Sequence, residues 1–82
     1  MIEFKEAEFK RFTNTVNPNK YYYFSEKELN NHTVEVNAGR FKVFFKIEIK
    51  NSVSHTTIAR GGYKSLNDLN NDLKSFVSLN AL

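Results

Sequence analysis

Residues 40–50, R-F-K-V-F-F-K-I-E-I-K, place Phe41, Val43, Phe45, Ile47 and Ile49 at alternate positions, with Lys42, Phe44, Lys46, Glu48 and Lys50 between them. Period two sustained over this length, in β-branched and aromatic residues, predicts a long strand with one face on a core and a basic face opposite. Thr33-Val34-Glu35-Val36 alternates in the same way, and Asn37-Ala38-Gly39 supplies turn residues, so the two runs predict a hairpin. Asn51-Ser52 turns the chain into a third, more polar strand over residues 53–60, with the character of an edge.

Gly61-Gly62 is expected to end the sheet in a turn of positive φ. Beyond it the period changes. Leu66, Leu69, Leu73, Phe76 and Val77 form an apolar stripe at helical spacing, Ser65 stands as N-cap, and Asp68 favours the positive helix end. Asn67, Asn70, Asn71, Lys74 and Ser78 make the polar face of this helix, over about residues 65–80. In the first third, Phe9, Phe12 and Val16 share a helical face with Ile2, and Glu6 and Lys10 are an i,i+4 pair. These predict a helix over about 3–14, stopped by Asn17-Pro18-Asn19. Tyr21-Tyr22-Tyr23-Phe24 reads as a short strand, and Ser25-Glu26-Lys27-Glu28 has the spacing of a capping box opening one helical turn. The expected fold is α+β: an antiparallel sheet of three to four strands (about 33–60) packed on a C-terminal amphipathic helix, with an N-terminal helix, in one domain.

Composition narrows the chemistry. Among 82 residues there is no cysteine, which removes disulfides, thiolate metal sites and cysteine nucleophiles and favours an intracellular protein. No apolar run approaches the roughly 20 residues of a membrane span, and the charged start Met1-Ile2-Glu3-Phe4-Lys5-Glu6 is unlike a signal peptide. The net charge of +3 is uneven. Residues 33–64 hold Arg40, Lys42, Lys46, Lys50, Arg60 and Lys64 against Glu35 and Glu48, a surplus of +4 that the pattern assigns to the sheet.

No catalytic set stands out. His32 and His55 are far apart in sequence with no carboxylate at ligand spacing, and Gly61-Gly62 is too short for a phosphate loop. The expectation is a non-enzymatic protein without metal, cofactor or small-molecule substrate. Binding residues are sought instead on surfaces. Consecutive tyrosines cannot all face one core, so the Tyr21–Tyr23 run presents a ring to solvent, with Tyr22 and Tyr23 as candidate contacts. Lys42, Phe44 and Lys46, with Arg40 and Arg60 nearby, complete the candidate set. Basic residues interleaved with an aromatic suit phosphates and bases. The competing reading has the N-terminal helix covering Phe44, with the lysines as a solvated rim.

Residues 33–81 resemble the YegP-type domain, a three-strand-plus-helix module, through Ala38-Gly39-Arg40-Phe41-Lys42, Ile58-Ala59, Tyr63-Lys64-Ser65 and Asn71-Asp72-Leu73-Lys74-Ser75. That resemblance implies a fold and no activity. In size, lack of cysteine and its strand–strand–helix ending (residues 46–60, then Tyr63-Lys64-Ser65-Leu66), the chain is similar to small sheet-plus-helix anti-CRISPR inhibitors. This implies a phage-type protein of the bacterial cytoplasm that blocks a host nuclease or CRISPR effector sterically. The element order is also similar to integrase arm-binding domains, which implies a nucleic-acid-binding module as the alternative. Those domains read base edges with Arg-rich strands, whereas this sheet has Arg40 and Arg60 alone.

Overall fold

Asn30 and Asn31 adopt φ of 45° and 65°. Two successive residues of positive φ make the two-residue turn whose twist matches paired strands, and asparagine tolerates that conformation best after glycine. This turn joins β2 (Tyr21–Leu29) to β3 (His32–Ala38), in register from Tyr23↔Ala38 to Leu29↔His32. The computed structural model describes residues 2–82 and adds three further strands: β1 (Lys10–Thr13), β4 (Phe45–Asn51) and β5 (Thr57–Tyr63). All are antiparallel in the order β1-β2-β3-β4-β5, and α1 (Leu66–Leu79) follows.

The α+β class, the antiparallel sheet and the C-terminal helix are as expected from the sequence. Ser65 Oγ accepts from the Asp68 N–H at 3.1 Å, and the stripe buries Leu69 and Leu73 against Ile47, Ile49 and Phe45, with Leu66, Phe76 and Val77 packed around them.

The strand count differs: five, over residues 10–63, rather than three or four over 33–60. The region expected as a helix over 3–14 forms a short 3₁₀ turn (Glu6–Glu8) and then β1. Phe9, Phe12 and Val16 do not share a face: Phe9 is buried, Phe12 lies on the other side of the sheet, and Val16 is 91% exposed. Asn17-Pro18-Asn19 is the tip of the β1–β2 hairpin, held by Asn14 Oδ1, which accepts from the Val16 and Asn17 amides. Ser25-Glu26-Lys27-Glu28 is the middle of β2, because the Asn30-Asn31 turn pairs it with β3. Tyr21–Phe24 is a strand, as expected.

The central strand begins at Phe45 rather than at residue 40. β3 ends at Ala38, so residues 39–44 have no ladder partner there and loop out. Lys42 takes φ 52° and its N–H donates to the Gly39 carbonyl at 3.0 Å. Phe41 and Val43, expected in the core, are therefore exposed. The last strand starts at Thr57, after a loop closed by Asn51 Oδ1 on the Val53 and Ser54 amides. It runs through Gly61-Gly62, and neither glycine has positive φ. The glycines serve a different purpose. A Cβ at Gly62 would stand 2.6 Å from Phe44 Cζ, so the missing side chain lets that ring lie on the strand.

α1 packs on β4 and β5. The rest of the same sheet face is closed by residues 2–9. Phe4, 1% exposed, packs toward Phe9, whose ring meets Phe45 edge-on at 5.9 Å. Asn70, on the helix face expected to be solvated, holds this segment. Its Oδ1 accepts from the Phe4 N–H at 2.9 Å and its Nδ2 donates to the Phe4 carbonyl at 2.8 Å. Lys27 on β2 lies 5.6 Å from the centre of the Phe4 ring and pairs with Glu8 at 2.7 Å. Replacing Asn70 by Ala leaves the partly buried Phe4 N–H and C=O unpaired and should cost about 1–3 kcal/mol in denaturant unfolding. The Phe4 amide should also lose its hydrogen-exchange protection, whereas Asn71→Ala, on the exposed side, should change stability by less than about 0.5 kcal/mol.

Candidate functional site: the open face of the sheet

With both α1 and the N-terminal segment on one side, the other side of the sheet carries no covering layer among the described residues. Paired residues share a face, so the ladder partners give its rows. Phe12 and Tyr22 pair at one end. The next row is Lys10, Phe24, Asn37, Lys46 and Gly62, followed by Glu26, Glu35, Glu48 and Arg60, and then Glu28, Thr33 and Lys50. At the β4–β5 end the rows enclose a trough of about 590 Å³ between Phe44, Asn37, Lys46, Glu35, Glu48, Lys50 and Arg60.

The aromatic end is built from β1 and β2. Phe12 and Tyr22 stack at 5.6 Å with 17° between their planes, and Phe24 meets Phe12 edge-on at 5.9 Å. Phe12, Tyr22 and Phe44 remain between 43% and 46% exposed.

The middle is electrostatic. Glu26, Glu35 and Glu48 stand directly opposite one another on adjacent strands, a like-charge arrangement that destabilises unless counter-charged. Lys50 bridges two of them, reaching Glu35 at 3.0 Å and Glu48 at 3.1 Å, and Arg60 Nε donates to Glu48 at 2.8 Å. Lys50, together with Arg60, holds the Glu48 carboxyl below the ordinary range, and Glu35 with Glu48 holds the Lys50 ammonium above its own. Below this row, the Thr33 and Ser52 hydroxyls donate to Glu28 at 2.6 and 2.7 Å, which lowers that carboxyl as well.

The predicted contact residues fall into two groups. Tyr22, Phe44, Lys46 and Arg60 are on the open face. Tyr23, Arg40 and Lys42 are on the helix side. Lys42 Nζ sits 4.2 Å from the Tyr23 ring centre and 3.6 Å from Glu6, and Arg40 lies 5.3 Å from the Tyr21 ring. This corrects the expected basic face. Lys10, Lys46, Lys50 and Arg60 on the open face are balanced by Glu26, Glu28, Glu35 and Glu48, so the surplus of +3 lies elsewhere. The residues missed from sequence were Phe12, Phe24, Asn37 and the opposed glutamates. The Asn30-Asn31 pair was the available signal, because recognising it as a hairpin turn makes residues 21–29 a strand and places Phe24, Glu26 and Glu28 on one face.

Among the described residues no group of three or more His, Asp or Glu side chains is placed to hold a metal ion, and no helix is long and apolar enough to cross a membrane. No family model, curated protein or solved structure significantly matches this chain.

The lowered Glu48 carboxyl contributes stability that is present above its unfolded value, near 4.3, and is lost as pH falls through its folded value. The raised Lys50 contributes stability that is present below about 10.4 and is lost as pH rises through its folded value. Thermal unfolding against pH should therefore show a shallower acid limb for Glu48→Gln than for the parent, and the difference between the two at neutral pH should shrink in high salt. Gly62→Ala should displace the Phe44 ring, seen as loss of the upfield ring-current shift at the residue-62 Hα in NMR spectra, with cooperative unfolding retained because Phe44 can swing outward.

Proposed function

We propose that this chain is a small non-enzymatic binding protein that docks the open face of its sheet on a larger protein and blocks that partner sterically. The observation that carries the reading is the placement of both covering elements, α1 and residues 2–9, on one side of a five-stranded sheet. Five strands of about seven residues span roughly 24 by 23 Å, a corrugated surface of the order of the 800 Å² each partner gives to a standard protein interface.

The face has the content such an interface uses. Phe12, Tyr22 and Phe44 are half-exposed rings at its margins, the residue class in which binding energy concentrates. The row with Lys10 and Lys46, then the row of Glu26, Glu35 and Glu48 ending in Arg60, then the row with Glu28 and Lys50 make a charge pattern that sets register with a complementary partner. Tyr22, Phe44, Lys46 and Arg60 are the contacts from this face, with Phe12 and Phe24 beside them. The partner class comes from the likeness in size and layout to anti-CRISPR inhibitors: a host nuclease or CRISPR effector in the bacterial cytoplasm. Nucleic-acid binding by this same face is disfavoured, because four carboxylates offset its four cations.

The test is inhibition and complex formation against a panel of purified CRISPR effectors and host nucleases, with guide and target present. A stoichiometric complex on size exclusion with loss of cleavage is expected for one of them. Tyr22→Ala and Phe44→Ala should each weaken it by about thirtyfold, the equivalent of about 2 kcal/mol for an aromatic anchor. A panel in which none is bound or inhibited, or inhibition untouched by both substitutions, rejects the reading.

A further inference from the structure

On the helix side of the sheet, beyond the segment that Asn70 holds, β1, β2 and the 39–44 loop bring cations and rings together. The Arg11 and Arg40 guanidinium carbons each lie 5.3 Å from the centre of the Tyr21 ring, and Arg40 is also 5.5 Å from Phe41. Tyr21 meets Tyr23 edge-on at 6.0 Å, and Lys42 Nζ lies 4.2 Å from the Tyr23 ring centre. We propose that this cluster is a binding site for single-stranded nucleic acid, in which Arg11, Arg40 and Lys42 neutralise phosphates and Phe41 receives a base.

Four observations carry the proposal. First, the charge of the two guanidiniums is uncompensated. Neither guanidinium is ion-paired to a described carboxylate, and the one acid in the group, Glu6, reaches only Lys42, at 3.6 Å, with a side chain 70% exposed. Second, the open face is neutral, so the whole surplus of +3 lies outside it, and this cluster concentrates three of those cations. Third, the heads are held in place. Stacking on Tyr21 and Tyr23 fixes cations that would otherwise sweep a large volume, which lowers the ordering cost of meeting a phosphate. Fourth, Phe41 is 76% exposed beside Arg40, although the loop that displays it has no ladder partner. An uncovered ring next to a guanidinium is the pairing on which an unstacked base rests between phosphates.

The ring content selects the ligand. An acidic peptide would satisfy the charge and leave Phe41 unused, and a duplex keeps its bases stacked away from such a ring. The site lies on the opposite side of the sheet from the proposed protein-docking face and shares none of its residues, so the two readings fail independently.

The test is a fluorescence-anisotropy titration of the full chain with a labelled short oligothymidine, at several salt concentrations, beside a duplex of the same length and a polyglutamate peptide. Single strands of three neutralised phosphates give a slope of log K on log salt of about −2. That slope is expected, with weaker binding of both competitors. Arg11→Gln/Arg40→Gln should lower affinity by tenfold or more and bring the slope to about −0.7, whereas Arg11→Lys/Arg40→Lys should keep the slope. Phe41→Ala should lower affinity about tenfold at unchanged slope, the loss of one stacked base. Lys46→Gln/Arg60→Gln, on the open face, should bind as the parent does. Circular dichroism checks that each variant is folded, and the Lys variants serve if the Gln pair is not. No binding at low salt, equal binding of polyglutamate, or binding that follows Lys46 and Arg60 instead overturns the proposal.

Discussion

The side chain of Asn70 ties the N-terminal segment to the side of the sheet that α1 covers. It pairs with both backbone polar groups of Phe4, 66 positions away in sequence, and so ties the start of the chain to the last helix. Burial of Phe4 and Phe9 works against a backbone ordering cost of about 1–2 kcal/mol per residue, and the Asn70 pairing adds to that burial by satisfying the two backbone groups of Phe4. With it, Phe4 and Phe9 complete a core that α1 alone leaves open over β2 and β3. Every later property of the molecule follows from that placement. One face becomes two-layered and apolar, and the other remains a single layer of backbone with its side chains toward solvent.

That single layer explains the polar composition of the open face. Alternation places half of each strand's residues there, and none has an apolar layer to pack against. Glutamates come to stand opposite glutamates across three strands, an arrangement tolerable because Lys50 and Arg60 thread between them and water screens the rest. Arg60 stands in register with Glu48 at the end of the row, and Lys50 reaches Glu35 and Glu48 from the next row, so the ladder itself sets the order of charges across the face.

Much of this was legible from residue order. The period-two run ending in Phe45, Ile47 and Ile49, the hairpin with Val34 and Val36, the Ser65 cap and the Leu69–Leu73 stripe all appear where local pattern and burial agree. The errors share a cause. Phe9, Phe12 and Val16 fit a helical period as well as they fit nothing, and a strand of four residues is too short to show its own alternation. Phe41 and Val43 continued an alternating pattern beyond the last available partner strand, because periodicity reports what a segment is able to do and pairing reports what it has to pair with. Gly61-Gly62 read as a turn because glycine permits positive φ, whereas here it permits contact with the rings of Phe44 and Tyr63.

The candidate surfaces divide in the same way. Tyr22, Tyr23, Arg40, Lys42, Phe44, Lys46 and Arg60 could be chosen from sequence as exposed rings and cations, because residue type and alternation are local facts. Their division between two opposite sides of the sheet was a tertiary outcome. It depends on the 39–44 loop folding Arg40 and Lys42 back over Tyr21 and Tyr23, and on the register that sets Glu26, Glu35 and Glu48 beside Lys46 and Arg60. The sequence by itself determined a net positive, cysteine-free chain with an antiparallel sheet and a C-terminal helix. Which face stayed open, and where the surplus charge went, only the assembled structure decided, because both rest on contacts between residues distant along the chain.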